Sequence, residues 1–379
     1  MNIEDKVTLA HIDKINSKRM DIVPRCYILF ENSCKSKHTF SIYKRALDYF
    51  LKWSNKDYES LIMLSEFDKN RLMQDYVISL RRRCESGALS PNSVPTYVIG
   101  IFKFLKVSGC NFNIESIKQL YPQTVKLAGD KAITTEQIKQ ILRTCRYKRE
   151  RALIHFCSAT GARPEAITEI QFKHISKKDG FLKIVLYALD KHEMITYLHP
   201  EAVKVLDEYL EWRKSKGEKL ISESFLFVNR AVIPKKLSVS AIENIMDGIW
   251  QNSDVERVKI GNRYELAMFT CYRKRFDTIL EMNPKVSSGA CQYLMDHMGY
   301  LSGRHYRRPT EEQIFESYKN TVKELMIDDS LRKDYEFEQK QKEFEKIETQ
   351  KDVRIEELES RAERTEILLQ KVLERLDSS

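Results

Sequence analysis

Arg163 is the residue whose setting points most clearly to chemistry. It follows a Thr-Gly-Ala bend and directly precedes Pro164. A proline is well tolerated in the first turn of a helix, because its missing N–H would have no intrahelical partner there. The sequence therefore predicts Arg163 at a loop-to-helix junction, where a planar fork of donors facing outward is suited to gripping two oxygens of a phosphate. The alternative is an arginine that merely pairs with Glu165 or Glu169.

Four residues downstream of Arg163 are further candidates. Lys191 lies in ALDKHEM, Arg273 in FTCYRKRF, His297 in LMDHMGY and Tyr306 in GRHYRRPT. Taken singly, a turn lysine, a histidine or a tyrosine is more often a core or surface residue, so only their order after Arg163 makes them candidates. The flanks of the tyrosine are cationic: Arg304, Arg307 and Arg308.

Periodicity predicts the elements that must position these residues. Thr134 or Thr135 can cap a helix, with Glu136 in its first turn. The run 181–198 predicts two strands with a turn near 189–192, which puts Lys191 at a hairpin tip. The apolar run 225–228 predicts a third strand, and helices resume from about 240 to 318. The fold class is therefore mainly α with a small antiparallel β-sheet.

The N-terminal third predicts a small all-α domain. Three helical regions are predicted: one from Ser36, a second from Ile62 to Arg83, and a capped helix within 90–109. All three carry interleaved basic and aromatic residues. The alternative is an ordinary helical bundle without a binding face. The candidate DNA-binding residues are Lys37, Lys44, Arg45, Arg81 and Arg82.

Composition favours a folded protein with a polyanionic partner. The chain has 379 residues, 42% of them hydrophobic, which suffices for two or three domains. It carries 64 Lys and Arg against 55 Asp and Glu, a net charge of +9. Because the tail after about residue 328 is rich in acid, the body is more basic than this average, and the expected partner is a polyanion, with nucleic acid the first candidate. The alternative is that the lysines only form a solvated surface.

Cysteine usage and hydropathy predict a soluble protein of the reducing cytoplasm. The eight cysteines are dispersed and none forms a Cys-x-x-Cys pair, which argues against a metal site and a disulfide framework. The N-terminus lacks the pattern of a signal peptide. No apolar stretch approaches the roughly 20 residues needed to cross a bilayer, so no membrane association is expected.

In order and spacing, these motifs resemble those of the tyrosine recombinase (phage integrase) family. They are the TGARPEAITEI box, the hairpin lysine, Arg273 followed three residues later by Phe, an L-x-x-H element and the later tyrosine. The ending HMGYLSGRHYRRPTEEQIFESYKN is most similar to archaeal-type integrases. The resemblance covers roughly 36–322 and implies a helical core-binding domain followed by an α+β catalytic domain. His297 and Tyr306 are nine residues apart, the usual interval in this family.

The resemblance also implies roles for the five residues. Arg163 and Arg273 would clamp the scissile phosphate, and Tyr306 would be the nucleophile. Lys191 would protonate the leaving 5′ oxygen, while His297 would assist charge stabilisation or proton transfer. Two arginines can neutralise the charge that develops on the phosphate, and a covalent 3′-phosphotyrosine conserves the bond energy. No metal, ATP or other cofactor is therefore expected.

Two departures from the family pattern and one rival residue qualify this assignment. The second arginine box usually has a histidine where this chain has Thr270, which removes one donor. The glycine of the L-G-H element is replaced by Asp296. Tyr318 is an alternative nucleophile, but the cationic flanks of Tyr306 and its spacing from His297 favour Tyr306.

The expected function is site-specific DNA recombination, as the integrase of a mobile element, by a homo-oligomer that is a tetramer on DNA. The alternatives are cleavage of the kind performed by a type IB topoisomerase, and a catalytically degenerate DNA-binding protein with the same fold. The tail repeats apolar residues in steps of three and four, which predicts a self-associating coiled coil. The predicted parts are an N-terminal arm (1–35), a core-binding domain (36–127), a catalytic domain (128–327) and the coiled-coil tail (328–379).

Overall fold

A computed structural model describes residues 24–125, 129, 131–260, 263–296 and 309–376 of the chain. They group into two compact units, 1–126 and 127–379, and each unit has its own hydrophobic core. The finer division into four parts stays a prediction.

The first unit is built of helices. In chain order they are α1 (Arg25–Asn32), α2 (Lys37–Ser54), α3 (Tyr58–Met63), α4 (Glu66–Glu85), α5 (Val94–Val107) and α6 (Ile114–Lys118). The core lies largely between α2 and α5, where Gly100 approaches the backbone of Tyr43 so closely that a Cβ atom would overlap it. The helical region predicted from Ile62 to Arg83 is two helices, because the Ser65 side chain accepts a hydrogen bond from a backbone N–H of the next turn and caps a new start.

The second unit is mainly helical with a small antiparallel sheet, as the sequence predicts. Its elements are α7 (Thr135–Thr144), α8 (Lys148–Thr160), α9 (Pro164–Thr168), β1 (Ile175–Lys178), β2 (Phe181–Leu186), β3 (Met194–Leu198), α10 (Pro200–Ser215), α11 (Val239–Gln251), β4 (Lys259–Ile260), β5 (Arg263–Tyr264), α12 (Thr270–Met282), α13 (Ser288–Leu294), α14 (Glu311–Lys319), α15 (Val322–Leu325) and α16 (Asp329–Leu376). Of the two candidate caps for α7, Thr134 is the one that accepts a hydrogen bond, from the N–H of Gln137.

The three-stranded sheet has the order β1-β2-β3, and its neighbouring strands are antiparallel. The predicted pair of strands and the turn between them are confirmed as β2 and β3. The third strand was predicted wrongly: it is β1, whereas Phe225 and Val228 form only isolated bridges. The carbonyls of Phe225 and Leu226 accept hydrogen bonds from Arg213, at 2.9 and 2.8 Å, so they are not free to extend a ladder.

Two details of the later chain depart from the predicted run of helices. The short β4–β5 hairpin lies between α11 and α12, within the stretch predicted as helical. The last helix, α16, is 48 residues long, and near its start Leu331 and Tyr335 pack against the cluster formed by α12 to α15. Among the described residues, no helix is both long enough and apolar enough to cross a membrane.

Candidate functional site

A tight bend after α8 sets the position of Arg163. Helix α8 ends at Gly161, whose φ of 58° is left-handed and whose missing Cβ leaves room for the ring of Phe276. Arg163 then lies at the N-cap of α9 with extended backbone, and Pro164 is the first helical residue. The predicted loop-to-helix junction is therefore confirmed.

The side chain of Arg163 is partly exposed and forms one strong ion pair. Its Nη1 donates to Oδ2 of Asp296 at 2.9 Å, and 39% of the side chain remains accessible. Its partner is thus neither Glu165 nor Glu169, and Glu169 instead accepts a hydrogen bond from Lys236 at 2.8 Å. Arg163 is therefore held by a residue that follows it by more than a hundred positions.

Arg273, the second predicted arginine, reaches the same place from α12. Its Nη1 donates to the carbonyl of Gly161 at 3.0 Å, and its Nη2 donates to the carbonyl of Met295. Burial, and after it the positive charge of Arg163, lower the pKa of the Arg273 guanidinium. The fold therefore brings two arginines together, although their like charges repel.

Asp296 lies where the family usually has glycine. Its backbone is left-handed, with a φ of 49°, which aspartate tolerates better than most residues with a side chain. The carboxylate is 10% exposed, and it faces Arg163 through one oxygen and His192 through the other, at 3.5 Å from Nδ1. The replacement of glycine thus keeps the backbone shape and adds an anion beside the arginines.

Lys191 lies in the loop between β2 and β3, as predicted, and its side chain is exposed. It lines a cavity of about 430 Å³ together with Tyr293 and Asp296. The loop is stabilised by its own side chains: the N–H of His192 donates to Oδ1 of Asp190 at 2.9 Å. Lys191 and the carboxylate that pairs with Arg163 therefore line the same cavity.

Two neighbours of this cluster were not singled out from the sequence. His192 follows Lys191 directly, and 43% of its side chain is exposed although Nδ1 itself is shielded. The ring of Tyr187 lies 6.2 Å from that of His192, and burial raises the pKa of Tyr187 while a hydrogen bond from Arg163 opposes the rise. A signal for His192 was available, since it lies beside the predicted hairpin lysine.

Tyr318, the rival nucleophile, is fully buried in α14. Its hydroxyl donates to the carbonyl of Ala159 at 3.0 Å, and its ring packs near Phe181, Tyr197 and Phe276. Burial raises the pKa of this phenol well above its usual value. In this arrangement the hydroxyl ties α14 to α8 and is shielded from solvent.

Several predicted residues lie outside the described part of the chain. They are His297, Arg304, Tyr306, Arg307 and Arg308. Thr270 is described: it is the exposed first residue of α12, one turn before Arg273. The described residues thus bring Arg163 and Arg273 close to Asp296, which also faces His192 and lines a cavity with Lys191.

The candidate DNA-binding residues of the first unit differ in exposure. Lys37 and Arg45 on α2 are exposed, as are Arg81 and Arg82 on α4. Lys44 is half-buried and pairs with Asp48 at 2.5 Å. A lysine already paired with a carboxylate has less free charge to offer a phosphate, so the other four are the better placed.

One group of potential metal donors was found among the described residues. Ligand atoms of Asp277, Glu281 and Cys291 lie within 4.8 Å of one another. Burial, and after it the charges of the two carboxylates, raise the pKa of Cys291 to about 12. The three side chains therefore form a small acidic cluster in which burial and the carboxylates favour the protonated thiol.

Comparison with known proteins finds a family model that matches just under half of the chain. The model of the phage integrase family matches residues 131–313, which include Arg163, Lys191 and Arg273. No curated protein matches the chain.

Among solved structures the chain is similar to a lambda integrase dimer bound to a COC′ core site, with 10% identity, 79% of this chain and 94% of that chain covered, and a TM-score of 0.49. It is also similar to the integrase of the Tn1549 transposon in complex with transposon right end DNA, with 14% identity, 78% and 98% covered, and a TM-score of 0.46. A third is the XerA recombinase, with 17% identity, 78% and 97% covered, and a TM-score of 0.36.

Proposed function

We propose that this chain, which carries a phage integrase family domain at residues 131–313, is a site-specific DNA recombinase that cuts and rejoins double-stranded DNA. The observation that carries the proposal is the convergence of Arg163 and Arg273 around the bend at Gly161. Asp296, which pairs with Arg163, also lines a cavity with the exposed Lys191. Two guanidiniums brought together in a partly open site suit a phosphodiester better than a neutral substrate.

In the proposed reaction Tyr306 attacks the scissile phosphorus. A bond forms between the phenolic oxygen and phosphorus, the bond from phosphorus to the 5′ oxygen breaks, and a 3′-phosphotyrosine results. The phenol proton passes to His297, and Lys191 donates a proton to the departing 5′ oxygen. Arg163 and Arg273 offset the negative charge that builds on the non-bridging oxygens, which is where preorganised donors lower a barrier most.

The surroundings of Tyr318 support Tyr306 as the nucleophile. A phenol in a protein core, donating to the Ala159 carbonyl with its pKa raised well above 10, is poorly available either as a phenolate or to a DNA backbone. Tyr306 instead lies between pairs of basic residues in the sequence, which favour the phenolate.

We further propose that Asp296 positions the site. Its two oxygens face Arg163 and His192, so one carboxylate can fix the orientation of both side chains while parts of each stay exposed to solvent. A guanidinium that is held in one orientation loses less freedom when it meets a phosphate. The imidazole of His192 also lies close enough to add a donor to a site that lacks a histidine at Thr270.

DNA binding in this proposal depends mainly on phosphate contacts. Lys37, Arg45, Arg81 and Arg82 of the first unit are exposed, and Arg304, Arg307 and Arg308 are the basic flanks of Tyr306. Contacts of this kind release counterions, so affinity should fall steeply with salt.

The assembly and the biological setting are also part of the proposal. Recombination requires cutting two duplexes, so we propose a tetramer on DNA, with the tail as a coiled coil that aids assembly. The proposed substrate is a mobile element of the kind that archaeal-type integrases serve, which the enzyme integrates or excises.

The decisive experiment is trapping the covalent intermediate on a nicked DNA substrate carrying the recombination site. The wild-type protein should give an adduct that survives denaturant, Tyr306→Phe should give none, and Tyr318→Phe should still give one. An adduct formed by Tyr306→Phe but not by Tyr318→Phe would reverse the choice of nucleophile.

Plasmid relaxation, strand exchange and adduct formation together separate the alternative functions. Relaxation of supercoiled plasmid without strand exchange between two sites would indicate a type IB topoisomerase. Site-specific binding without an adduct on any substrate would indicate a catalytically degenerate DNA-binding protein. This alternative is supported by Thr270, which stands where a histidine is usual.

A further inference from the structure

Most of the length of helix α16 packs against no other part of the chain among the residues that the structure describes. Leu331 and Tyr335 pack onto the second unit near the start of the helix. From residue 340 to 365, the described side chains are all exposed. An isolated helix in water gains little from propensity alone and is normally stabilised by packing its apolar face.

The exposed part of α16 has such an apolar face. Ile355 and Leu358 are about half exposed, at 52% and 50%. In the sequence this face continues toward the C-terminus in steps of three and four, through Ala362, Thr365, Leu369, Val372 and Leu376. Such steps keep the apolar residues on one stripe, as positions a and d of a heptad repeat do. The upstream positions Glu348 and Lys351 interrupt the stripe, so the seam begins near residue 354.

The charges beside this stripe are sorted by sign. With Ile355 at position a, the charged residues at the g positions are all arginines, Arg354, Arg361 and Arg375, and those at the e positions are Glu359 and Glu366; Leu368 and Leu373 occupy the remaining g and e positions. In a parallel coiled coil a g residue lies beside the e residue of the next heptad on the other helix, which pairs arginine with glutamate. In an antiparallel coiled coil g meets g and e meets e, which sets arginine against arginine and glutamate against glutamate.

We infer that residues 354–376 form a parallel coiled coil with the same segment of a second copy of this chain. Arg354 of one helix pairs with Glu359 of the other, and Arg361 pairs with Glu366, on both sides of the seam. Within one chain Arg354 lies 2.8 Å from Glu357, but both side chains are more than half exposed. Such a pair is weak, so it does not prevent the intermolecular one.

The inference goes beyond recombination and does not depend on it. It concerns self-association in the absence of DNA, so a failure to find a covalent adduct would leave it untouched. In the same way, a protein that proved monomeric without DNA could still cleave DNA.

The test is sedimentation equilibrium of the full-length protein without DNA. Glu359→Arg with Glu366→Arg should weaken association about 30-fold, because each of the four pairs across the seam contributes roughly half a kcal/mol. The matched control is Glu356→Arg with Glu363→Arg, which makes the same changes at the same spacing on the outer face and should leave association unchanged.

A compensating variant tests the orientation. Adding Arg354→Glu and Arg361→Glu to the Glu359→Arg, Glu366→Arg protein restores opposite charges only in the parallel arrangement, so association should return to within about threefold of wild type. The inference is overturned if the wild type is monomeric at about 100 µM, if the double variant associates like wild type, or if the compensating variant does not recover.

Discussion

An arginine, a histidine and a carboxylate come together at two places in the second unit, and the two clusters differ in exposure. Around Asp296, Arg163 and His192 keep large parts of their side chains in contact with solvent. Around Glu201, the charged or polar partners Arg275 and His155 are buried, as is the carboxylate itself. An arginine, a histidine and a carboxylate are therefore not a functional signature until their exposure is known.

In the closed cluster the partners are mostly backbone groups. Glu201 accepts the N–H groups of Ile327 and Asp328 at 2.8 and 3.0 Å, and Arg275 donates to the carbonyl of Glu324 at 2.6 Å. Every one of these bonds fixes the segment that leads into α16. The closed cluster therefore has a structural task, whereas the open one leaves parts of the Arg163 and His192 side chains exposed to solvent.

The closed cluster also keeps its histidine neutral. His155 Nδ1 lies 3.8 Å from Glu201, yet burial lowers the pKa of His155 to about 4, so no ion pair forms at neutral pH. Burial raises the pKa of Glu201, and the backbone N–H groups that it accepts oppose the rise. Variants of residues in each cluster test this difference.

The largest effect is expected in the open cluster. Arg163→Ala should slow formation of the covalent adduct about 1000-fold, because it removes one of the two cations that meet the developing charge. DNA affinity, measured by fluorescence anisotropy, should change by less than about threefold, because other phosphate contacts dominate it.

Asp296→Asn is the companion variant for Arg163. Asparagine tolerates the left-handed backbone but lacks the charge that holds the guanidinium, so an intermediate loss of about tenfold is expected. If Arg163→Ala instead lowers the free energy of unfolding and leaves the rate of adduct formation intact, the open cluster is structural like the closed one.

A smaller effect, and one on stability, is expected in the closed cluster. Arg275→Leu should lower the free energy of unfolding by about 3 kcal/mol, because it strips donors from buried carbonyls and leaves Glu201 without its nearby cation. Urea denaturation measures this, with Arg143→Leu at an exposed position of α7 as the control, which should stay within about 0.5 kcal/mol of wild type. Equal stabilities for the two variants would contradict the structural task.

The pH dependence of stability should also trace to the closed cluster. His155 in the unfolded chain takes up a proton below about pH 6.5, while the folded protein resists until about pH 4. Because the unfolded state binds more protons, the free energy of unfolding falls as the pH falls through this window, by about 2 kcal/mol between pH 6.5 and 5.

The variant His155→Gln tests this assignment. In this variant, unfolding should take up about one proton fewer. The free energy of unfolding should therefore change less steeply with pH between pH 5 and 6.5. The same change at His38, an exposed residue of α2, serves as the control. An unchanged slope in His155→Gln would mean that the buried imidazole is not responsible.

The smallest effect is expected for Tyr318→Phe. The ring packing stays and only the hydrogen bond to the Ala159 carbonyl is lost, so the free energy of unfolding should fall by about 1 kcal/mol. The adduct assay should give wild-type yields. A stable Tyr318→Phe protein that forms no adduct would instead identify Tyr318, in α14, as the nucleophile.

The parts of the fold that were predictable depend on neighbours in sequence. The cap at Thr134, the helix start at Pro164 and the hairpin turn that carries Lys191 are each encoded within a few residues. Capping, proline geometry and alternation act locally, so a sequence pattern suffices for them.

The parts that were missed depend on residues far apart. The strand predicted at 225–228 failed because Arg213, from a preceding helix, occupies carbonyls that a ladder would need. The pairing of Arg163 with Asp296 spans 133 positions. No periodicity records which distant carboxylate meets a given arginine.

The sequence by itself determined which residue types are present, their order from Arg163 to Tyr306, and the heptad pattern of the tail. Only the tertiary structure decided that Arg163 stays open while Arg275 is closed, that Tyr318 is buried, and that Asp296 and His192 join the arginines. The physical reason is that exposure and long-range pairing depend on how whole elements pack together, and the energy of a charge depends on that packing more than on its neighbours along the chain.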